Sequence, residues 1–223
     1  MLARGMRELA TGLRRVTCTR GQGAERAGGF NEEYTEPAMN VVISLLRGVN
    51  VGGHNQIKME ALRTMCESLG LRGARTYIQS GNVVFRAAER DLERLSKRIQ
   101  GGIERRFGVC PEVIVRTVLE MRGVVARNPF AKRRDIEPSK LLVTFLAREP
   151  GREAWERVLR LKAEPEEVRV EGREIYIYYA NGMARPKVPW TTIEKMLGTP
   201  GTARNWNTVR KLLELAEGLE VAM

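Results

Sequence analysis

One order of hydrophobic periods occurs twice in this chain, and that repetition constrains the fold more than any other feature. From Met39 the pattern predicts strand 40–47, helix 58–69, strands 74–79 and 82–86, helix 91–107, strand 112–116 and helix 118–127. After Lys140 the order returns as strand 141–146, helix 152–161, strands 167–170 and 174–180, helix 191–197, a short strand 202–205 and helix 208–217. Each half therefore reads β-α-β-β-α-β with one further helix, and the split βαβ arrangement of ferredoxin-like folds is the natural closure of such a string. The predicted class is α+β, with two similar ferredoxin-like subdomains at 39–127 and 141–223 joined by a linker at 128–140. The halves match in topology rather than in residues.

Local signals refine this reading. In helix 91–107, Leu92, Leu95, Ile99, Ile103 and Phe107 share one face. Gly101 and Gly102 each cost up to about 1 kcal/mol inside a helix, so either the helix breaks there or another backbone packs close. Thr117 with Glu120 forms a capping box, and Asn207 or Thr208 caps the corresponding helix of the second half. Tyr176 and Tyr178 share one face of their strand, the placement with which RNA-recognition modules stack bases, but the required motif is absent and packing between the subdomains is the better use.

The topology has a functional consequence. Strands one and two of the first half run parallel with strand three between them, so the exit loop of the first strand and the turn joining the second and third share one end of the sheet. Two marked segments meet there: Arg47 to Lys58, and Gln79-Ser80-Gly81-Asn82. Gly48, Gly52 and Gly53 let backbone N–H groups converge, and the loop feeds a helix start, which favours anions. Neither G-x-x-x-x-G-K-[ST] nor G-x-G-x-x-G is present, and left-handed turns in a long β-to-α connection explain the glycines equally well.

Composition bounds the function. A hydrophobic share of 43% supports a buried core, and no apolar run approaches the roughly 18 residues of a membrane span. Cys18, Cys66 and Cys110 have neither disulfide-framework nor zinc-site spacing, which fits a reducing cytoplasm. The net charge of +11 invites nucleic acid, although acidic residues interleave with the basic ones on most predicted helices. Residues 1–38 show little hydrophobic period and are expected to form a disordered extension, with Met39 the expected native start.

The chain closely resembles the bacterial family catalogued as domain of unknown function 1697. The likeness is carried by Leu-Leu-Arg-Gly-Val-Asn-Val-Gly-Gly at 45–53, Ile-Lys-Met at 57–59, Thr-Tyr-Ile-Gln-Ser-Gly-Asn-Val-Val-Phe at 76–85, Asn-Pro-Phe at 128–130 and Thr-Ala-Arg-Asn-Trp-Asn-Thr-Val at 202–209. It spans about residues 40–217 and implies a cytoplasmic protein of two similar α+β subdomains, with no catalytic residues to carry over.

The expected function is binding of nucleic acid or another phosphorylated ligand. Arg47, Lys58 and Arg204 supply charge, and Asn50, Gln79, Ser80 and Asn82 supply hydrogen bonds. Arg204, Asn205 and Trp206 form either an architectural latch or part of the ligand site. The alternatives are an enzyme acting on a small anionic metabolite through the 47–58 loop with His54, the only histidine, as acid or base, and a structural or assembly protein. Cys66 reads as a buried structural thiol. Lys132-Arg133-Arg134 reads as a solvated linker. No metal, cofactor or membrane contact is expected.

Overall fold

The first strand carries apolar residues on both faces because both faces are covered. In the computed structural model, which describes residues 38–183 and 186–222, the first half comprises β1 Asn40–Leu46, α1 Met59–Ser68, β2 Arg72–Tyr77, β3 Asn82–Ala87, α2 Leu92–Phe107, β4 Val113–Thr117 and α3 Val118–Ala126. The second comprises β5 Leu141–Leu146, α4 Arg152–Leu159, β6 Glu167–Glu171, β7 Glu174–Tyr178, α5 Trp190–Leu197, β8 Gly201–Asn205 and α6 Trp206–Val221. The expected extension lies, apart from its last residue, outside the described residues. No helix among the described residues is long and apolar enough to cross a membrane.

The strands form two four-stranded antiparallel sheets, ordered β2-β3-β1-β4 and β6-β7-β5-β8. Alternation along β1 sends Val42 and Leu46 toward α1 and α2, and Val41, Ile43 and Leu45 toward a central core. That core also contains Leu141, Val143, Phe145, Tyr176 and Tyr178 of the second sheet, with residues of α3 and α6. The opposite face of the second sheet packs on α4 and α5. The two tyrosines are therefore buried between the halves. Their hydroxyls donate to Val124 O at 2.7 Å and Asp135 O at 3.2 Å. Residues 128–140 are part of the same packing, since Phe130 and Ile136 enter the core and Arg133 pairs with Asp135 and Glu167.

Several local expectations change. The helix over 91–107 does not break at its glycines: a Cβ on Gly102 would lie 2.8 Å from Met65 Sδ and 2.9 Å from Leu69 Cδ1, so side chains of α1 and its C-cap fill the notch. The second strand begins at Arg72, not at 74, with a bulge between Arg72 and Arg75 where Gly73 takes a φ of +64°. The Thr117–Glu120 capping box forms as expected. The final helix starts at Trp206, capped by Asn205 and not by Asn207 or Thr208; the Asn205 side chain accepts the Thr208 N–H at 2.9 Å. Trp206 at the first helical position packs against the central core, which fixes that earlier start.

Candidate functional site

The end of β1 meets the hairpin as the topology requires. Leu46 N–H donates to Gly81 O and Arg47 N–H to Glu112 O, both at 2.9 Å. Beyond them the backbone takes left-handed φ at Gly48, Asn50, Gly52, Gly53 and Asn55, which folds the loop tightly. Asn50 holds it there: its Oδ1 accepts the Ile57 N–H at 2.7 Å, and its Nδ2 donates to Ile57 O at 2.9 Å and Gln79 O at 2.7 Å. Asn82 braces the hairpin by donating to Tyr77 O and Ser80 Oγ, both at 3.0 Å.

Arg204 of β8 reaches into this corner from the other half. It is 7% exposed. Nε donates to Asn82 Oδ1, Nη1 to Thr202 Oγ1 and Ala203 O, and Nη2 to Leu46 O and Ser80 O. All five guanidinium protons thus go to neutral acceptors. Arg204 forms no ion pair among the described residues, and burial alone lowers its pKa to about 10.

The opposite corner repeats the arrangement in a different charge state. Arg116 of β4 donates to Leu146 O at 2.8 Å, Val115 O at 2.9 Å and Glu174 Oε1 at 2.9 Å. Arg116 and Arg204 each sit one residue before a helix cap, Leu46 and Leu146 each end the first strand of a half, and Asn82 and Glu174 each begin the third. The two halves therefore latch onto each other reciprocally. Only the Arg116 latch is neutralised by a carboxylate.

Beside Arg204 lies a cavity of about 310 Å³ between the halves. Its lining combines Arg47, Gly48, Val49 and Ser80 with Trp190, Thr202 and Ala203. Among the described residues the N–H groups of Gly48 and Val49 have no hydrogen-bond partner. On the edge strand β8, Pro200 O accepts from Ala147 N–H, so the alternate residues Gly201 and Ala203, both of which line the cavity, turn their N–H groups away from β5. Arg47 makes a two-pronged ion pair with Glu194 of α5, the longer contact at 2.9 Å.

Of the residues singled out in the sequence, Arg47, Gly48, Ser80 and Arg204 come together around this cavity. Asn50 and Asn82 brace its walls from behind, and Gln79 contributes its carbonyl to that brace. Gly52, Gly53, His54 and Lys58 are exposed and lie outside the lining. Asn205 caps α6 and Trp206 packs inward, so neither lines the cavity, whereas Arg204 of the same motif does. Cys66 is buried in α1, and burial pushes its thiol up to about 12. Among the described residues no group of three or more His, Cys, Asp or Glu is placed to hold a metal ion. Trp190 and Glu194 escaped the sequence reading, in which Thr202 stands only as part of the 202–209 motif. The Arg-Thr at 116–117 and Arg-Asn at 204–205, each opening a helix, are the repeat that would have exposed the two latches.

The family described as "Protein of unknown function (DUF1697)" matches residues 39–176. The chain belongs to this family. The matched stretch ends before the 202–209 motif, short of the span over which the motifs themselves extend. Among solved structures the chain resembles the conserved bacterial protein SP0830 from Streptococcus pneumoniae, at 20% identity and a TM-score of 0.64, over 81% of this chain and 99% of that one. This likeness speaks to the fold alone. No curated protein matches the chain.

Proposed function

We propose that this DUF1697 protein binds a phosphorylated or otherwise anionic ligand in the cavity beside Arg204. One observation carries the reading: among the described residues Arg204 is a buried guanidinium with no carboxylate partner, and it lines the same cavity as Gly48 and Val49, whose N–H groups have no partner there either. A buried positive charge facing only dipoles is costly, and an anion seated within a few ångströms relieves that cost. The N–H groups supply the directional contacts that Arg204, with every proton engaged, does not. Arg47 adds a second charge, held by Glu194 until a ligand competes for it. Each half is read as ferredoxin-like on its strand order, and the protein as cytoplasmic on its cysteine usage. Nucleic-acid phosphate is one anion that fits, and the basic net charge would steer it.

Calorimetric titration of the full chain with pyrophosphate and with a short single-stranded oligonucleotide, at about 50 and about 200 mM salt, tests the reading. One-site binding is expected, weakening with salt, falling about tenfold in Arg47→Ala and rising several-fold in Glu194→Gln. Absence of binding, or identical affinities in all three proteins, overturns it.

A further inference from the structure

The cavity is not lined by polar groups alone. Beside Gly48 and Val49 its lining includes Trp190 and Val51. Trp190 opens α5, and a Cβ on Gly201 would lie 2.8 Å from its Cζ2. The absence of a side chain at Gly201 therefore lets the indole lie against the backbone of β8 and fixes its place. Val51 is 61% exposed, in a loop that the Asn50 side chain holds rigid. Together these bring an aromatic ring and an apolar side chain into the same cavity as the anion cradle.

A volume of about 310 Å³ falls at the lower end of the range for small-molecule sites. It admits one mononucleotide-sized molecule. Resting on the anion-binding reading of the same cavity, we infer that the ligand is a nucleoside phosphate, its phosphate on the Gly48 and Val49 N–H groups and its base stacked on Trp190. A free inorganic anion uses one end of the cavity, whereas a nucleotide uses both. The indole offers a π-face that suits any base, so stacking contributes affinity with little base preference.

The test compares inorganic phosphate, a nucleoside, and the matching nucleoside monophosphate on the full chain, with Trp190→Phe and Trp190→Leu beside the parent. The monophosphate is expected to bind about tenfold or more tightly than inorganic phosphate, with the gain largely kept in Trp190→Phe and lost in Trp190→Leu. Phosphate affinity itself is expected to be equal in all three proteins, which also reports that the cavity is intact. If Trp190→Leu loses phosphate binding as well, Trp190→Phe decides: a retained gain supports the proposal and a lost gain overturns it. Equal affinities for phosphate and monophosphate in the parent overturn the nucleotide assignment while leaving the anion site standing. Failure of both ligands to bind overturns both.

Discussion

At Gly81 two constraints coincide, a φ of +70° and a backbone pressed against β1, where a Cβ would lie 2.7 Å from Leu46 Cβ. The nearest atom is a Cβ fixed to the backbone of β1 rather than the free end of a flexible side chain, so Gly81→Ala is expected to cost about 1–3 kcal/mol in urea unfolding. Gly101→Ala, on the half-buried side of α2, is the control, with an expected gain of about 0.5–1 kcal/mol from helix propensity. Cys66 sets a pH dependence. Its thiol titrates near 9.0 when unfolded and at about 12 when buried, so the native state holds the proton more tightly. The stability this provides is complete below about 9 and is lost as pH rises toward about 12. Tyr176 and Tyr179, also shifted upward by burial, add to the same trend. The urea midpoint is expected to fall across that window, less steeply in Cys66→Ala.

Between elements, the latches matter more than any surface pair. Arg116 and Glu174 are 2% and 5% exposed, whereas most other ion pairs are between exposed side chains. Arg116→Ala leaves Glu174 buried without its partner, and a loss of about 3–5 kcal/mol is expected. Arg116→Met combined with Glu174→Leu is expected to recover most of it, because an apolar pair of similar volume removes both charges at once. Equal instability of the single and double variants in urea melts would contradict the pairing. This level is also where the sequence was least legible. Strands such as Asn40–Leu46 and the capping box at Thr117 follow from hydrophobic period and local chemistry, which one segment carries by itself. Three of the five bonds of Arg204, and the ion pair of Arg116, depend on chain segments from the other half, so neither residue is marked as buried by its neighbours in sequence. For the same reason Asn82 and Asn50 looked like ligand contacts, although their amides are engaged in holding the walls.

Over the whole molecule, two similar halves joined by reciprocal latches leave one corner neutral and the other positively charged. The charged corner is also where the loop Arg47 to Lys58, the hairpin at Gln79 and strand β8 converge on a cavity. The order of strands made the meeting of loop and hairpin predictable. The arrival of β8 and Trp190 was not, because it depends on how the second half docks against the first. That convergence, and with it the anion-binding account, is tested most directly by amide NMR of the full chain during titration with inorganic phosphate. Saturable shifts centred on the Gly48, Val49 and Ala203 amides, with one dissociation constant, are the predicted result. Shifts scattered over the basic surface without saturation, or none at these amides, would contradict the account.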